Sequence, residues 1–219
     1  MGFPGRLPLM GRPFEFRGNF FTIPETLIYP QPIQKRVPIW LVVNSSVIES
    51  IEAALKNRLN IFTGVLEPLS KSINIEKKYS SLFKNYAIPN YIGTQRFVFV
   101  SYNQKIVQKI VEETRWNARV SMSMRYNNQV VKNGIVEAKA FKDEPSTDKI
   151  IEDYIVAGNP LECIDQINRI KEKIGINYFS CSFWFGNLDQ KIVLDSMQLF
   201  AKEVLPSFER QNITEKVMD

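Results

Sequence analysis

Two stretches place hydroxyl groups where an apolar run gives way to a helical pattern. In "VVNSSVIES" the run over 37–44 ends in Ser45 and Ser46, and in "NIFTG" the run over 60–64 ends in Thr63 and Gly64. Hydroxyls and backbone N–H groups at the start of a helix bind anions, because the first turn's donors have no intrahelical partner and the helix dipole favours negative charge. The same residues also serve as plain N-caps and turn residues, and their types alone do not choose between the two roles. Glu49, in the first helical turn, suits the dipole in either case. The chain has no histidine. That rules out Ser–His and Cys–His pairs and His-ligated zinc within this chain. Catalysis here would draw on carboxylates, Lys, Tyr, Arg, hydroxyls, a cofactor, or a histidine on another chain.

Cys163 and Cys181 are the only cysteines, and neither belongs to a metal-ligand spacing, so both are expected as buried free thiols and no metal site is expected. The net charge of +5 comes from lysines scattered among glutamates, as in "NRIKEKIGIN", which describes a solvated surface rather than a nucleic-acid patch. No apolar run approaches the roughly 18 residues that cross a bilayer, and "MGFPGRLPLMGRPFEF" contains no signal-peptide core and no myristoylation signal. A cytoplasmic protein that binds neither membrane nor nucleic acid is the expectation.

The elements that must position these groups alternate. Residues 1–36, rich in Pro and Gly, are expected as an extended arm and loops, with a short hairpin over 16–23. The run 37–44 reads as a strand buried on both faces, followed by a helix over 45–59 capped by Ser45 or Ser46. A strand over 60–64, a helix over 67–86, a strand over 95–102 and a helix over 103–126 come next. Residues 127–150 are polar and irregular, with a lead-in helix over 146–155. "IVAGNPLECIDQI" then turns sharply from an apolar, strand-like run, not counted among the strands, into a helix over 160–175, with Asn159 as cap, Pro160 near the start and Gly175 at the end. A strand over 176–186 and a helix over 188–209, broken at Pro206, complete the chain. Four strand–helix units mean an α/β fold with a parallel sheet, either doubly wound or part of a (β/α)8 TIM-type barrel. Neither GxGxxG nor GxxxxGK[ST] occurs, which counts against dinucleotide and P-loop folds.

Three stretches in order carry a family resemblance: "FRGNFFTIPETLIYPQPIQKRVPIWLVVNSSVIESIEAA" (16–54), "QRFVFVSYNQKIVQKIV" (95–111) and "IVAGNPLECIDQINRIKEKIGINYFSCSFWFGNLDQKIVLDSMQLFAKEVLPSF" (155–208). They resemble the C-terminal half of the bacterial luciferase-like, flavin-dependent monooxygenases. The resemblance implies one N-terminally truncated luciferase-like domain over 1–219, a partial (β/α)8 barrel with about the last four strand–helix units. It implies FMN as reduced flavin, or coenzyme F420 in a related family, and oxidation of a small organic substrate with O2. Ser45, Ser46, Thr63 and Gly64 fall where such members hold flavin; the resemblance assigns no catalytic residue. It also implies a flavin reductase as supplier, and a separate N-terminal half-barrel chain or a homo-oligomer to complete the barrel. The other implied role is a non-catalytic remnant or a stabilising subunit. Arg96 is expected at the N-terminal, structural end of its strand, and Trp184 and Phe185 as packing residues rather than a pocket wall.

Overall fold

The protein is described by a computed structural model covering residues 11–34, 37–87, 89 and 91–209. The N-terminal readings on targeting and lipidation signals concern 1–10 and so lie largely outside the described residues. Strands β1 (Phe14–Arg17) and β2 (Thr22–Thr26) pair antiparallel as a separate hairpin around the turn at Gly18. The main sheet contains β3 (Trp40–Val43), β4 (Asn60–Thr63), β5 (Ile92–Val100), β8 (Ile155–Gly158) and β9 (Tyr178–Ser182), and every pairing in it is parallel. The helices are α1 (Ile48–Lys56), α2 (Ile75–Lys78), α3 (Ser80–Asn85), α4 (Gln104–Arg125), α5 (Thr147–Asp153), α6 (Pro160–Ile174) and α7 (Gln190–Leu199), with a π-helical continuation over Phe200–Val204. Between α4 and α5, β6 (Val131–Lys132) and β7 (Ile135–Val136) form a small hairpin.

The long strand β5 organises the sheet. Gly93 and Thr94 pair with both β4 and β9, while Phe97 pairs with both β8 and β9. Strands β4 and β8 therefore lie end to end along one edge of β5, and β9 takes the other edge. The fold is mixed α/β with a parallel sheet, and the sheet does not close on itself among the described residues.

Alternation along β5 separates two apolar clusters. Val98 and Val100 join Ile61, Val156, Leu55 of α1 and Ile167 and Ile170 of α6 on one face. Phe97 and Phe99 join Ile110 and Val111 of α4, Ile150 of α5, Phe185 and Val193 on the other. Nearer the strand starts, this second face carries aromatic rings. Trp40 lies 4.7 Å from Tyr178, 5.6 Å from Tyr91 and 5.7 Å from Phe62, centroid to centroid. Gly93 leaves room for them, since a Cβ there would sit 3.0 Å from the Phe62 ring and 3.1 Å from Tyr178.

The sharp turn at 158–160 follows from local chemistry. Gly158 adopts φ 146°, Asn159 accepts from the Glu162 N–H, the Glu162 carboxylate accepts from the Asn159 N–H, and Pro160 occupies the first turn. This reciprocal cap satisfies two donors that the helix leaves free. Gly175, at φ 64°, ends the helix in the left-handed conformation that glycine adopts without strain.

Several expectations are corrected. β3 is not buried on both faces: Val42 is 66% exposed, because its side of this edge strand opens into a cleft instead of packing against a helix. Neither Ser45 nor Ser46 caps α1; Val47 is its N-cap, with no side-chain hydrogen bond. The helix expected over 67–86 is two short helices preceded by a loop, with Asn74 accepting from Lys77 N–H to start α2. The strand expected from 95 begins at Ile92, and "IVAG" is a fifth strand of the sheet. The irregular stretch holds a hairpin turning at Asn133 and Gly134, both at positive φ.

Gly158→Ala forces a left-handed φ on a residue with a side chain and sets its Cβ 2.3 Å from Glu162 Oε2, inside the capping box. It is expected to cost about 1–3 kcal/mol, read as a lower urea midpoint at unchanged slope.

Candidate functional site

Parallel α/β sheets hold ligands beyond the C-terminal ends of their strands. A cleft of about 870 Å³ lies there, over the ends of β3 and β4, within the roughly 300–1,000 Å³ of small-molecule sites. Its floor includes Val42, Asn44, Ser46 and Gly64; the loop from Leu66 to Lys71 and Tyr154 form one side; the C-terminal half of α4 and the segment Phe141–Pro145 form the other.

The four sequence-derived residues divide. Ser46 is exposed and borders the cleft, its N–H and hydroxyl both donating to Asn44 Oδ1 (2.9 and 2.5 Å). Gly64 also borders it. Ser45 is buried beneath: its N–H donates to Glu67 Oε2 at 3.0 Å and its Oγ accepts from Ile73 N–H at 3.3 Å. Thr63 is buried with its hydroxyl donating to Thr94 Oγ1 at 2.8 Å. Alternation in β4 turns Thr63 to the face of Ile61, away from the aromatic rings. Phe185 packs on Phe97 with ring centroids 4.5 Å apart, while Trp184 is largely exposed; neither borders the cleft.

Arg96 departs from expectation. Because β5 begins at Ile92, Arg96 is mid-strand rather than at its N-terminal end, and it is fully buried. Its Nη1 donates to Gln95 O (2.8 Å) and to Gly64 O (3.4 Å), and its Nη2 to Ser72 Oγ (3.4 Å). The guanidinium thus reaches the cleft end of β4. Burial lowers its pKa to about 10, opposed by the charges of Glu67 and Asp153, so it stays cationic at neutral pH. Asp153, also buried, accepts from Ser70 N–H (2.7 Å) and Ser70 Oγ (2.8 Å). The sequence carried one sign of this network: a lone cation in the apolar run "RFVFV". Glu67 and Asp153 gave none.

Three cations, Lys71, Arg125 and Lys142, border the cleft and form no ion pair among the described residues; Glu67 and Asp143 are its acidic groups. With Leu66, Met122 and Phe141 alongside, the lining suits a ligand that joins an apolar body to an anionic end, and a phosphorylated flavin is of that kind. No group of three or more His, Cys, Asp or Glu positioned to hold a metal occurs among the described residues, and no described helix is long and apolar enough to cross a membrane. Burial pushes both thiols up to about 12, and Cys163 is raised further by Glu162.

The segment Phe141–Pro145 is held by charge. Glu144 pairs with Arg119 Nη2 (2.8 Å) and Arg115 Nη1 (3.1 Å), and Arg115 also donates to Pro145 O (2.6 Å) and Thr147 Oγ1 (2.9 Å). Hydrogen bonding from Arg119 first, then from Arg115, holds the Glu144 carboxyl below its ordinary range, against the opposing effect of burial.

No family model matches the sequence, and no curated protein matches it. Solved structures do match the fold. The monooxygenase RslO1 from Streptomyces bottropensis superposes with a TM-score of 0.66 at 15% identity, over 93% of this chain and 58% of that one. An F420-dependent secondary alcohol dehydrogenase in complex with an F420–acetone adduct gives 0.60 at 21%, over 93% and 58%. The oxygenating constituent of 3,6-diketocamphane monooxygenase from Pseudomonas putida, a type II Baeyer–Villiger monooxygenase in complex with FMN, gives 0.60 at 16%, over 90% and 58%. At these identities the likeness is one of fold, and the chain spans 58% of the length of each.

A carboxyl with a depressed folded pKa stabilises fully above its ordinary value, here 4.5, and loses that contribution as pH falls through the lower folded value. Amide exchange across Phe141–Pro145 is therefore expected to accelerate, relative to the sheet, only below the ordinary glutamate range. Glu144→Gln is expected to accelerate it already at neutral pH and to remove the acid step.

Proposed function

We propose that the chain is the C-terminal half of a luciferase-like, flavin-dependent oxidoreductase of the cytoplasm, a partial (β/α)8 barrel whose cleft receives the phosphate-bearing end of FMN. The observation that carries this reading is the coincidence of an apolar, cation-lined cleft with the C-terminal ends of parallel strands. The fold shared with FMN- and F420-bound structures supports it. When bound, reduced flavin from a separate reductase supplies the redox chemistry with O2 that oxidises a small organic substrate such as an aldehyde, ketone or sulfonate. The chain's own residues bind and enclose. Ser46 and Gly64 would form the floor under the bound cofactor, and Lys71, Arg125 and Lys142 would supply positive charge for its phosphate. Met122 and Phe141 would supply apolar contact and exclude water. Ser45 and Thr63 support the floor from below through their buried hydrogen bonds. Coenzyme F420, also anionic, is the other ligand this lining suits.

The edge position of β3 and the partly open aromatic face favour completion of the sheet by further strands, from a separate N-terminal half-barrel chain or a second copy. A second reading, a non-catalytic remnant or stabilising subunit, is favoured by Ser45 and Thr63 spending their hydroxyls on protein partners.

Titration of the full chain with FMN and with riboflavin, followed by flavin fluorescence, tests the site. FMN is expected to bind more tightly and with strong salt dependence. Lys71→Ala or Arg125→Ala is expected to weaken FMN roughly tenfold, as loss of a charge-assisted hydrogen bond does, while leaving riboflavin unchanged. Equal binding of the two flavins removes the phosphate assignment. Absence of FMN and F420 binding, with or without a co-expressed half-barrel partner, leaves the non-catalytic reading.

A further inference from the structure

We propose that Arg96, Glu67 and Asp153, through the hydrogen bonds that each makes to the loops, act together as the positioning device of the cleft, coupling the loop after β3 to the loop after β4. The ligand arm of the test rests on the cofactor reading; the coupling does not.

The argument starts from where each charge spends its hydrogen bonds. Arg96 is fully buried and holds the carbonyl of Gly64, the first residue after β4, and the hydroxyl of Ser72, further along the same loop. Glu67, on that loop, reaches across to accept from the N–H of Ser45, in the loop after β3. Asp153, at the end of α5, accepts from the N–H and hydroxyl of Ser70. The return link is Ile73 N–H to Ser45 Oγ. Each group ties down a different backbone point on the cleft's near side.

One loop makes these ties interdependent: Gly64, Glu67, Ser70, Ser72 and Ile73 all lie between β4 and α2. The charges of Glu67 and Asp153 also act on the buried guanidinium, though neither forms an ion pair with it among the described residues. Glu67 Oε1 and Arg96 Nε are buried without a hydrogen-bond partner among the described residues, so neither is relieved by another group of the fold. Releasing one tie frees the loop that carries the others, and the two loops then loosen together. The spacing between Ser46, beside Ser45, and Lys71, beside Ser70 and Ser72, is thereby fixed from beneath. All three are positioning residues that act through the loops.

Native-state hydrogen exchange of the full chain, with Glu67→Gln, Arg96→Gln and the double variant, tests the coupling. Each single variant is expected to speed exchange at least tenfold in both segments, 44–47 and 66–73, with 97–100 of β5 unchanged. The double variant is expected to add little, since members of one unit are non-additive. Loosening confined to the 44–47 segment in Glu67→Gln, no loosening, or full additivity overturns the proposal. Should Arg96→Gln fail to fold, the cycle is run with Glu67→Gln and Ser72→Ala, read in the same way. In parallel, FMN affinity is expected to fall about tenfold in Glu67→Gln with its melting temperature nearly kept; unchanged affinity with both loops loosened overturns the positioning role while leaving the coupling. A wild-type chain that binds neither FMN nor F420, with or without a co-expressed half-barrel partner, defeats the cofactor reading alone, and the exchange data still decide the coupling.

Discussion

A strand with two partners laid end to end along one edge has a seam, and here a buried guanidinium fills it. Strand β4 ends its pairing at Thr94 and β8 begins at Phe97, so Gln95 and Arg96 face neither on that edge. Arg96 bonds the Gln95 carbonyl and the Gly64 carbonyl with one nitrogen. The charges of Glu67 and Asp153 oppose the effect of burial on this guanidinium, so the two carboxylates belong to the same place. The loops that carry Glu67, Ser70 and Ser72 are the near side of the cleft. The irregular backbone at the strand ends thus follows from the way the sheet is joined.

The two faces of the sheet are finished differently. One is covered by α1 and α6 over aliphatic residues, as strand alternation requires. The other is covered by α4, α5 and α7 only beside β8 and the second half of β5. Toward β3 it presents Trp40, Phe62 and Tyr178, packed against one another across the bare backbone of Gly93. In a closed barrel such residues would point inward, into a packed layer of side chains. Here they partly bury each other, and the edge strand keeps Val42 exposed.

What was legible in the sequence was whatever local chemistry decides. Gly158, Asn159, Pro160 and Gly175 bracket α6 as their types require, and the helices expected from 103 and 146 are α4 and α5, which the structure shows capped by Asn103 and Ser146. The alternation of apolar runs with amphipathic stretches identified the parallel α/β class. Where tertiary bonds compete, the reading failed. The pattern over 67–86 is helical by propensity, yet Asp153 and Ser45 hold its first part as a loop. Ser45 is a good cap by type, but its hydroxyl is taken by Ile73 and its N–H by Glu67, so the helix starts later, at Val47. "IVAG" reads as strand-like but is too short to be counted among the four strands by its pattern alone; its pairing with β5 makes it the fifth strand of the sheet. Asn133–Gly134 between apolar residues was a hairpin signal that the polar surroundings hid. Of the site, Ser46 and Gly64 were within reach of the sequence, whereas Lys71, Arg125 and Lys142 converge from segments far apart in the chain.

The central strand has a consequence for how the molecule is assembled in time. Residues 61–63, 155–158 and 178–182 all register against β5, and against no common local partner. Only the first contact closes a short loop; the other two wait on α4, the small hairpin and α5, and then on α6. Non-local closures of this kind are slow. Until they occur, both edges of an apolar strand are open to pairing with whatever else is near. The risk during synthesis therefore concentrates in one nine-residue stretch, Ile92–Val100. Its single charge, Arg96, is the only feature of that stretch that discourages a neighbour from adding to it.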